Sequence, residues 1–229
     1  MIKSIPVVEE YEGFRVVRDD LIPGGTKVRA IHRLFDSREE YVYAGPCQGY
    51  AQVALAYAGR EHQKRITLFC ARRKIMHSRT AEAIKAGANL VEVYPGYLTV
   101  VNSRAETYCR ATGACLLPFG LADPRMIEGI AEYARRMHPE PREVWSVAGS
   151  GTLSLALQAA WPDAEVNAVV IGKRHDRIGR ATLWIAPERY EQGAKDPPPF
   201  PSCDNYDAKL WQFVVEYAAL GALVWNVAK

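Results

Sequence analysis

From residue 40 onward, short apolar runs rich in β-branched and aromatic residues alternate with stretches that have helical spacing. Strands that are separated by helices pair in parallel through right-handed crossovers. The sequence therefore predicts an α/β fold built on parallel sheets. The predicted strands are 41–44, 66–70, 89–94, 114–117, 144–147 and 166–171, and the predicted helices are 48–58, 78–86, 102–112, 124–137, 153–160 and 210–219.

The composition is that of a globular protein with enough apolar residues for a buried core. Of the 229 residues, 48% are hydrophobic and 24% are charged, which suffices for one large or two small domains. The net charge of +3 does not by itself imply nucleic acid. The five cysteines and five histidines lack metal-ligand spacing, so we expect no metal, no disulfide framework and a cytoplasmic location. No apolar run approaches the length of a membrane span, so we expect no membrane partner.

The residues around Lys27 mark this lysine as a candidate nucleophile. Lys27 follows the glycine pair Gly24-Gly25 and opens an amphipathic run. Unpaired backbone N–H groups at the start of a helix create a positive field, which favours an unprotonated amine. Such an amine can form a Schiff base with a carbonyl compound. The alternative is an ordinary solvated lysine after a turn, because short motifs often match by chance.

A glycine-rich turn joins the predicted strand 144–147 to the helix that follows it. Gly149, Ser150, Gly151 and Thr152 make up this turn. Glycines let a phosphate approach the backbone, the helix N-terminus adds a positive field, and the two hydroxyls can donate hydrogen bonds. The turn is too short for a Walker loop, and it lacks the spacing of a dinucleotide fingerprint. The alternative is a tight strand-to-helix turn without a ligand.

The segment 18–29, Arg-Asp-Asp-Leu followed by Gly-Gly-Thr-Lys-Val-Arg, resembles the "KRDDL…GGNK.RK" segment of fold-type II pyridoxal phosphate enzymes. It is similar to the 1-aminocyclopropane-1-carboxylate deaminase and D-cysteine desulfhydrase branch of that family. The resemblance implies that Lys27 carries pyridoxal 5'-phosphate and that residues 149–152 bind its phosphate. It also implies a tryptophan synthase β-like fold of two open parallel α/β sheets, with the cofactor in the cleft between domains. The implied domains are a large one, 1–39 and 121–229, and a small α/β one, 40–120.

A further matching segment lies near the C-terminus, at 203–209. It resembles the family's "DP.Y.GK" segment, with Tyr206 and Lys209 in the matching places. The resemblance implies that Tyr206 is catalytic and that Asp207 faces the pyridine nitrogen. A carboxylate there keeps the nitrogen protonated, so that the ring is a strong electron sink. As an alternative, Asp207 caps or begins a helix.

The segment 44–50 resembles the family's "GA.QSNH" loop, which contacts the substrate carboxylate and the cofactor ring. Gln48 matches, whereas Gly49 and Tyr50 replace the serine and the asparagine. Backbone N–H groups at a helix start can still hold a carboxylate, but the hydroxyl proton relay is absent, so we do not expect opening of a cyclopropane ring. The resemblance implies substrate binding by Cys47, Gln48 and Gly49, and catalytic and cofactor contacts by Tyr50. The alternatives are a small buried cysteine and an aromatic core residue.

These motifs together predict a pyridoxal phosphate-dependent enzyme that acts on an amino acid or amine-bearing substrate through a Schiff base and a carbanion, as lyases, deaminases and decarboxylases do. One alternative is the same chemistry, such as decarboxylation, on an amino-acid group attached to a nucleic-acid base. Another is a catalytically degenerate protein that only binds the cofactor. The resemblance also implies a homodimer.

Two further features concern the opening of the implied cleft. The basic runs 72–74 and 173–175 follow predicted strands, and we interpret them as solvated faces or as flanks of the opening. The loops after residues 117 and 171 are shorter than is typical of the family. Because closing loops exclude water and competitors, short loops predict an open cleft that admits a bulky substrate.

Overall fold

Two separate sheets organise the chain in a computed structural model that describes residues 5–172 and 177–229. One sheet has six strands and the other has four. The predicted α/β fold with two largely parallel sheets is confirmed. The basic run 173–175 lies outside the described residues. The strands are β1 (Val8–Tyr11), β2 (Phe14–Arg18), β3 (Glu40–Ala44), β4 (Arg65–Ala71), β5 (Asn89–Val93), β6 (Cys115–Leu117), β7 (Glu143–Ala148), β8 (Glu165–Val170), β9 (Thr182–Ile185) and β10 (Leu223–Asn226).

Sequence signals explain where several helices begin and end. The helix at 124–134 begins with Pro124, and Asp123 Oδ1 accepts a hydrogen bond from the Arg125 N–H over 2.8 Å, as the predicted N-cap requires. None of the helices within residues 5–172 and 177–229 combines the length and the apolar character needed to span a bilayer. The α-helices are α1 (Val28–Ile31), α2 (Ala51–Glu61), α3 (Ser78–Lys85), α4 (Leu98–Thr112), α5 (Pro124–Ala134), α6 (Thr152–Ala160) and α7 (Trp211–Tyr217).

The chain divides into two compact units, of which the first is Ala30–Leu121. Its sheet has the order β5-β4-β3-β6, and all of its pairs are parallel. Strand β3 is buried along its whole length, as is usual for a parallel strand with both faces covered. Because parallel strands end at the same edge, the segments that follow β3, β4 and β5 lie along one edge of this sheet. The small domain implied at 40–120 stays a prediction.

The segment that follows β3 differs from its predicted structure. The helix predicted at 48–58 begins only at Ala51. The residues before it form a turn instead, in which the Gly49 N–H donates to the Pro46 carbonyl over 2.9 Å. Proline and glycine favour such turns over a helix start, so the loop is longer than the sequence predicts.

The second unit comprises Ile2–Arg29 and Ala122–Lys229. Its sheet has the order β1-β2-β10-β7-β8-β9. Strand β10 is buried at every position and pairs in parallel with both β2 and β7. The C-terminal strand thus lies between the strand that leads toward Lys27 and the strand that leads into the glycine-rich turn.

Strand β1 adds an antiparallel edge to the second sheet, because it pairs antiparallel with β2. Glu12 and Gly13 form the connection, with φ angles of 51° and 85°. A two-residue hairpin turn of this kind is too short for a crossover. The sequence analysis also missed β1, β2, β9 and β10, which lie outside the alternation of strands and helices at 40–171 from which the other strands were predicted.

Candidate active site

Lys27 follows a tight bend that its sequence neighbours make possible. Gly24 and Gly25 adopt left-handed backbone angles, with φ of 88° and 69°, which glycine adopts without steric cost. Helix α1 then begins at Val28. Burial lowers the pKa of the Lys27 amine, and the Asp207 carboxylate opposes this shift because it favours the ammonium form. The neutral amine is thus favoured chiefly by burial.

Asp19 and Trp225 hold the backbone on both sides of Lys27. The Arg29 guanidinium donates to Asp19 Oδ1, with Nη2 at 2.5 Å and Nε at 3.0 Å. Trp225 Nε1 donates to Asp19 Oδ2 over 3.2 Å and to Thr26 Oγ1 over 3.0 Å. Thr26 and Arg29 are therefore both tied to groups outside the glycine-lysine motif.

The neighbouring acid, Asp20, makes an equivalent anchor. Arg18 binds it in a bidentate manner, with Nε at 2.8 Å from Oδ1 and Nη2 at 3.0 Å from Oδ2. Asn226 Nδ2 donates to Asp20 Oδ1 over 2.9 Å. Both acids are buried, and a buried carboxylate that lost its cation would cost several kcal/mol. The Arg-Asp-Asp sequence therefore fixes the position of the backbone that leads into the Lys27 loop.

Asp207 is the first residue of a short 3-10 helix, Asp207–Leu210, so the alternative of a first-turn acid also describes its position. It is only 3% exposed, and its Oδ2 accepts a hydrogen bond from the Ala228 N–H over 3.1 Å. The carboxylate raises the pKa of both the Lys27 amine and the Tyr206 phenol. Asp207 thus acts electrostatically on its sequence neighbour Tyr206 and on Lys27, which is far from it in the sequence.

The phenol of Tyr206 contacts the glycine-rich turn. The backbone N–H of Gly149 donates to its hydroxyl oxygen. Burial raises the pKa of Tyr206 well above its usual range, and the charges of Asp207 and Tyr190 raise it further. Tyr206 consequently keeps its proton at neutral pH and remains a hydrogen-bond donor.

Both glycines of the turn occupy places where a larger residue would not fit. A Cβ atom at Gly149 would lie 2.7 Å from the Tyr206 hydroxyl oxygen. Gly151 has a φ of 78°, and a Cβ atom there would overlap the carbonyl group of Arg177. Both positions therefore need glycine: at Gly149 because the Tyr206 hydroxyl comes close to the backbone, and at Gly151 because of its left-handed backbone angle.

The hydroxyls of the turn lie at the N-terminus of helix α6. Ser150 Oγ and Thr152 Oγ1 are 3.0 Å apart, and the helix that starts at Thr152 has nine residues. The first N–H groups of a helix have no acceptor within it, and they attract anions. The turn thus combines close backbone approach, hydroxyl groups and a helix terminus, which together suit a phosphate.

The predicted substrate loop follows β3 in the unit Ala30–Leu121. Cys47 is buried there, which agrees with its alternative interpretation as a small buried cysteine. Its carbonyl oxygen accepts hydrogen bonds from Gln52 Nε2 over 2.6 Å and from Thr80 Oγ1 over 3.2 Å. Residues of α2 and α3 therefore hold the loop backbone in place.

Arg79 adds a cation to the same loop, and the sequence analysis did not single it out. Its Nη1 donates to the Gln48 carbonyl, and its guanidinium carbon lies 5.2 Å from the centre of the Tyr50 ring, a cation–π distance. Tyr50 precedes α2 as its N-cap residue. The parts that Cys47, Gln48, Gly49 and Tyr50 take in substrate binding stay predictions.

Solved structures share this fold over nearly the whole chain. An ACC deaminase homologue has a TM-score of 0.84 at 14% identity, covering 99% of this chain and 90% of its own. The processed form of threonine deaminase isoform 2 from Solanum lycopersicum has a TM-score of 0.75 at 12% identity, covering 97% and 78%. O-Acetyl serine sulfhydrylase isoform 3 from Entamoeba histolytica has a TM-score of 0.73 at 12% identity, covering 99% and 85%. No family model and no curated protein matches the sequence.

The chain has the fold-type II architecture. This result confirms the fold that the segments 18–29 and 203–209 suggested. At these identities the similarity shows the fold, so an assignment of activity rests on the site residues themselves.

The residues of this fold-type II chain fit pyridoxal phosphate in three respects. The turn at 149–152 places two hydroxyls at the N-terminus of helix α6, which suits a phosphate. Lys27 has an amine whose pKa is lowered by burial, which suits an attachment point for an aldehyde. Asp207 supplies a buried carboxylate, which suits a protonated ring nitrogen.

Two residues that position the site escaped the sequence analysis. Trp225 and Asn226 lie on β10, a strand that the sequence did not predict. The signal that pointed to them is the adjacent acid pair, Asp19 and Asp20. Two acids next to an arginine in an apolar segment need several buried partners, and the nearby arginines alone do not satisfy all four carboxylate oxygens.

Proposed function

We propose that this fold-type II protein is a pyridoxal phosphate-dependent enzyme that acts on an amino acid or another amine-bearing substrate, in the manner of a lyase. The supporting observation is that Asp207 acts on both Lys27 and Tyr206 within one unit. The Asp207 carboxylate raises the pKa of both other groups, and Tyr206 contacts the backbone of the glycine-rich turn. A candidate amine, an acid and a phosphate cradle therefore belong to a single constellation.

Each group of this constellation has a role that follows from its protonation. Lys27, as a neutral amine, would hold the cofactor's aldehyde carbon covalently, and when released from that carbon it would accept a proton from a substrate carbon beside it. Tyr206 keeps its proton and would donate a hydrogen bond. Asp207 would pair with the ring nitrogen. When bound, the cofactor supplies an electron sink for negative charge at the substrate's α-carbon.

The substrate loop would bind the carboxylate of an amino acid. The N-terminal N–H groups of the eleven-residue helix α2 follow Tyr50, and such groups favour anions. The loop has no hydroxyl at Gly49, so it lacks a proton donor at that point. We therefore propose reactions at the α-carbon, such as loss of a proton, a carboxylate or a leaving group, rather than opening of a cyclopropane ring.

Spectroscopic titration tests the proposal. The protein mixed with pyridoxal phosphate should develop an absorption band distinct from that of the free cofactor. Lys27→Ala should lack the band, whereas Lys195→Ala, which changes an exposed lysine of the same unit, should keep it. A band that persists in Lys27→Ala would contradict the assignment.

Turnover then separates an enzyme from a protein that only binds the cofactor. The loaded protein is incubated with a panel of free amino acids, and release of ammonia, carbon dioxide and keto acids is measured. Turnover that depends on Lys27 supports the enzyme. Cofactor binding at Lys27 without turnover of any free amino acid would contradict the free amino acid as substrate, and it favours an attached substrate or a degenerate protein.

A further inference from the structure

One edge of the sheet in the unit Ala30–Leu121 exposes several apolar and aromatic side chains together. Ile75, Tyr94 and Tyr97 are 87%, 81% and 73% exposed. Exposed hydrophobic residues that occur singly need no explanation, but contiguous ones mark a binding surface. We call the exposed residues of 72–76 and 94–98 the rim surface.

The sheet topology brings the two parts of the rim surface together. Strands β4 and β5 are parallel neighbours, and their last residues, Ala71 and Val93, are register partners. The Arg72 N–H donates to the Val93 carbonyl over 2.9 Å. A Cβ atom at Gly96 would lie only 2.6 Å from the Ala71 Cβ. The two segments are therefore packed on one another, so Tyr94 and Tyr97 belong to a segment that adjoins the basic run.

The rim surface carries cations that are available for a ligand. The run 72–74 is Arg-Arg-Lys and is exposed; within residues 5–172 and 177–229 these three side chains have no hydrogen-bond or ion-pair partner. Burial lowers the pKa of His77, and Arg79 and Arg73 lower it further, so positive potential extends to the start of α3. Glu92 contributes a negative charge at the same edge, which leaves an excess of positive charge.

Exposed rings beside unpaired cations suit one class of macromolecule. Single-stranded nucleic acid offers phosphates to the cations and unstacked bases to the rings, whereas a duplex hides its base faces. Protein–protein interfaces also favour tyrosine and arginine, but their cores are depleted in lysine and in charged residues overall, so three consecutive cations fit phosphates better. We propose that the rim surface binds single-stranded nucleic acid, with Arg72, Arg73 and Lys74 on phosphates and with Tyr94 and Tyr97 stacked on bases.

The rim surface is continuous with the predicted substrate loop. Cys47 of that loop lines one small pocket together with Arg73, Met76 and His77. A nucleic acid on the rim surface would therefore present an attached group to the loop. This last step rests on the function proposed above and names its substrate class as an amine-bearing group on a single strand.

Fluorescence anisotropy with a labelled oligonucleotide tests the binding itself, with or without cofactor. The probe is a single strand of about 12 nucleotides, within the site sizes of known single-strand binders. The same sequence as a duplex and an abasic strand of equal length are compared. We expect the single strand to bind more tightly than both. Because three neutralised phosphates give a slope of about −2 in log K against log salt, binding should weaken about 20-fold between about 50 and about 200 mM salt.

Variants separate the contribution of the rings from that of the charges. Tyr94→Ala and Tyr97→Ala should each weaken single-strand binding at least about fivefold and leave abasic binding unchanged. The matched variants Tyr94→Phe and Tyr97→Phe keep the rings and should retain binding. The triple variant Arg72→Ala/Arg73→Ala/Lys74→Ala should flatten the salt dependence.

A control and three outcomes decide the proposal. Arg104→Ala/Lys85→Ala removes two exposed cations elsewhere in the same unit and should leave binding unchanged. If this control loses as much oligonucleotide affinity as the triple variant of residues 72–74, the attraction is nonspecific, which contradicts the rim surface as the site. Equal affinity for the duplex and the single strand would contradict it as well. If the tyrosine variants change the oligomeric mass in light scattering but not oligonucleotide binding, the rim surface is a contact between copies of this chain. In each of these cases trapping at Lys27 still tests the proposed function independently.

Discussion

Trp225 Nε1 donates a hydrogen bond to Thr26 Oγ1 over 3.0 Å, which joins the buried strand β10 to the residue before Lys27. The same N–H lies 3.2 Å from Asp19 Oδ2, and Asp19 binds Arg29 on the other side of the lysine. A residue near the C-terminus thereby fixes the backbone around the candidate nucleophile. The position of Lys27 is therefore sensitive to changes outside the glycine-lysine motif.

Trp225→Phe should lower the free energy of unfolding by about 1–3 kcal/mol, because it leaves buried acceptors on Asp19 and Thr26 without their donor. Urea unfolding measures this loss. Trp161→Phe is the matched control, since Trp161 is also buried and its Nε1 has no hydrogen-bond partner among the described residues. The control should lose less stability than Trp225→Phe. Equal losses would show that the two hydrogen bonds add nothing.

Borohydride reduction in the presence of pyridoxal phosphate should place a pyridoxyl group on Lys27. Peptide mapping by mass spectrometry locates the label. Lys209 is the competing site, since it is fully buried and burial also lowers its pKa. Its Nζ, however, donates to the Arg189 carbonyl over 2.8 Å, which holds the amine away from an incoming aldehyde. A label found on Lys209 and missing from Lys27 would overturn the assignment.

The rate of labelling at Lys27 should depend on pH, with a midpoint that Asp207 shifts. The pKa of Lys27 is lowered in the folded protein, so the rate should rise with pH through that value and then level off above it. The Asp207 carboxylate raises this pKa. Asp207→Asn removes the negative charge, so the midpoint should move to lower pH. An unchanged or higher midpoint would mean that Asp207 does not act on Lys27.

Asp207→Asn should also slow turnover, once a substrate is known, by about 10- to 1,000-fold, as expected from the loss of an opposite charge beside the ring nitrogen. Labelling of Lys27 should persist, because it needs only the aldehyde. Single-turnover kinetics with cofactor bound at saturation separates the two effects. Unchanged chemistry would show that Asp207 serves only to begin its helix and to bind Ala228.

Gly149→Ala should weaken cofactor binding because the new methyl group would push the Tyr206 hydroxyl away from the turn. Gly149→Ala/Tyr206→Phe provides the test of mechanism, since a Cβ at Gly149 lies at an acceptable 3.4 Å from the Tyr206 Cζ once the hydroxyl is gone. The double variant should recover part of the lost affinity, measured by fluorescence titration. If the double variant recovers no affinity, the clash with the Tyr206 hydroxyl is not the cause of the weaker binding. Gly151 is less suitable, because its φ of 78° and its contact with Arg177 couple any substitution to folding.

Much of the fold could be predicted because its signals are local. The alternation of strands and helices from residue 40, the N-cap at Asp123 and the end of α4 at Gly113 follow from periodicity and capping residues. The start of α2 was misplaced because Pro46 and Gly49 form a turn whose hydrogen bond is visible only in the structure. Strands β1, β2, β9 and β10 were missed because they lie before or after the alternation of strands and helices at 40–171, and without that alternation a short apolar run does not identify a strand.

The sequence by itself determined which groups we assign to the candidate site, because Lys27 and the 149–152 turn stand out by residue type and the Tyr206-Asp207 pair by the resemblance of its segment to a family motif. The tertiary structure decided how these groups act on one another. Strand β10 enters between β2 and β7, and so brings Trp225 and Asn226 to the acid pair. The pKa of Lys27 depends on burial and on the carboxylate of Asp207, and both are properties of neighbours in space, which local sequence does not encode.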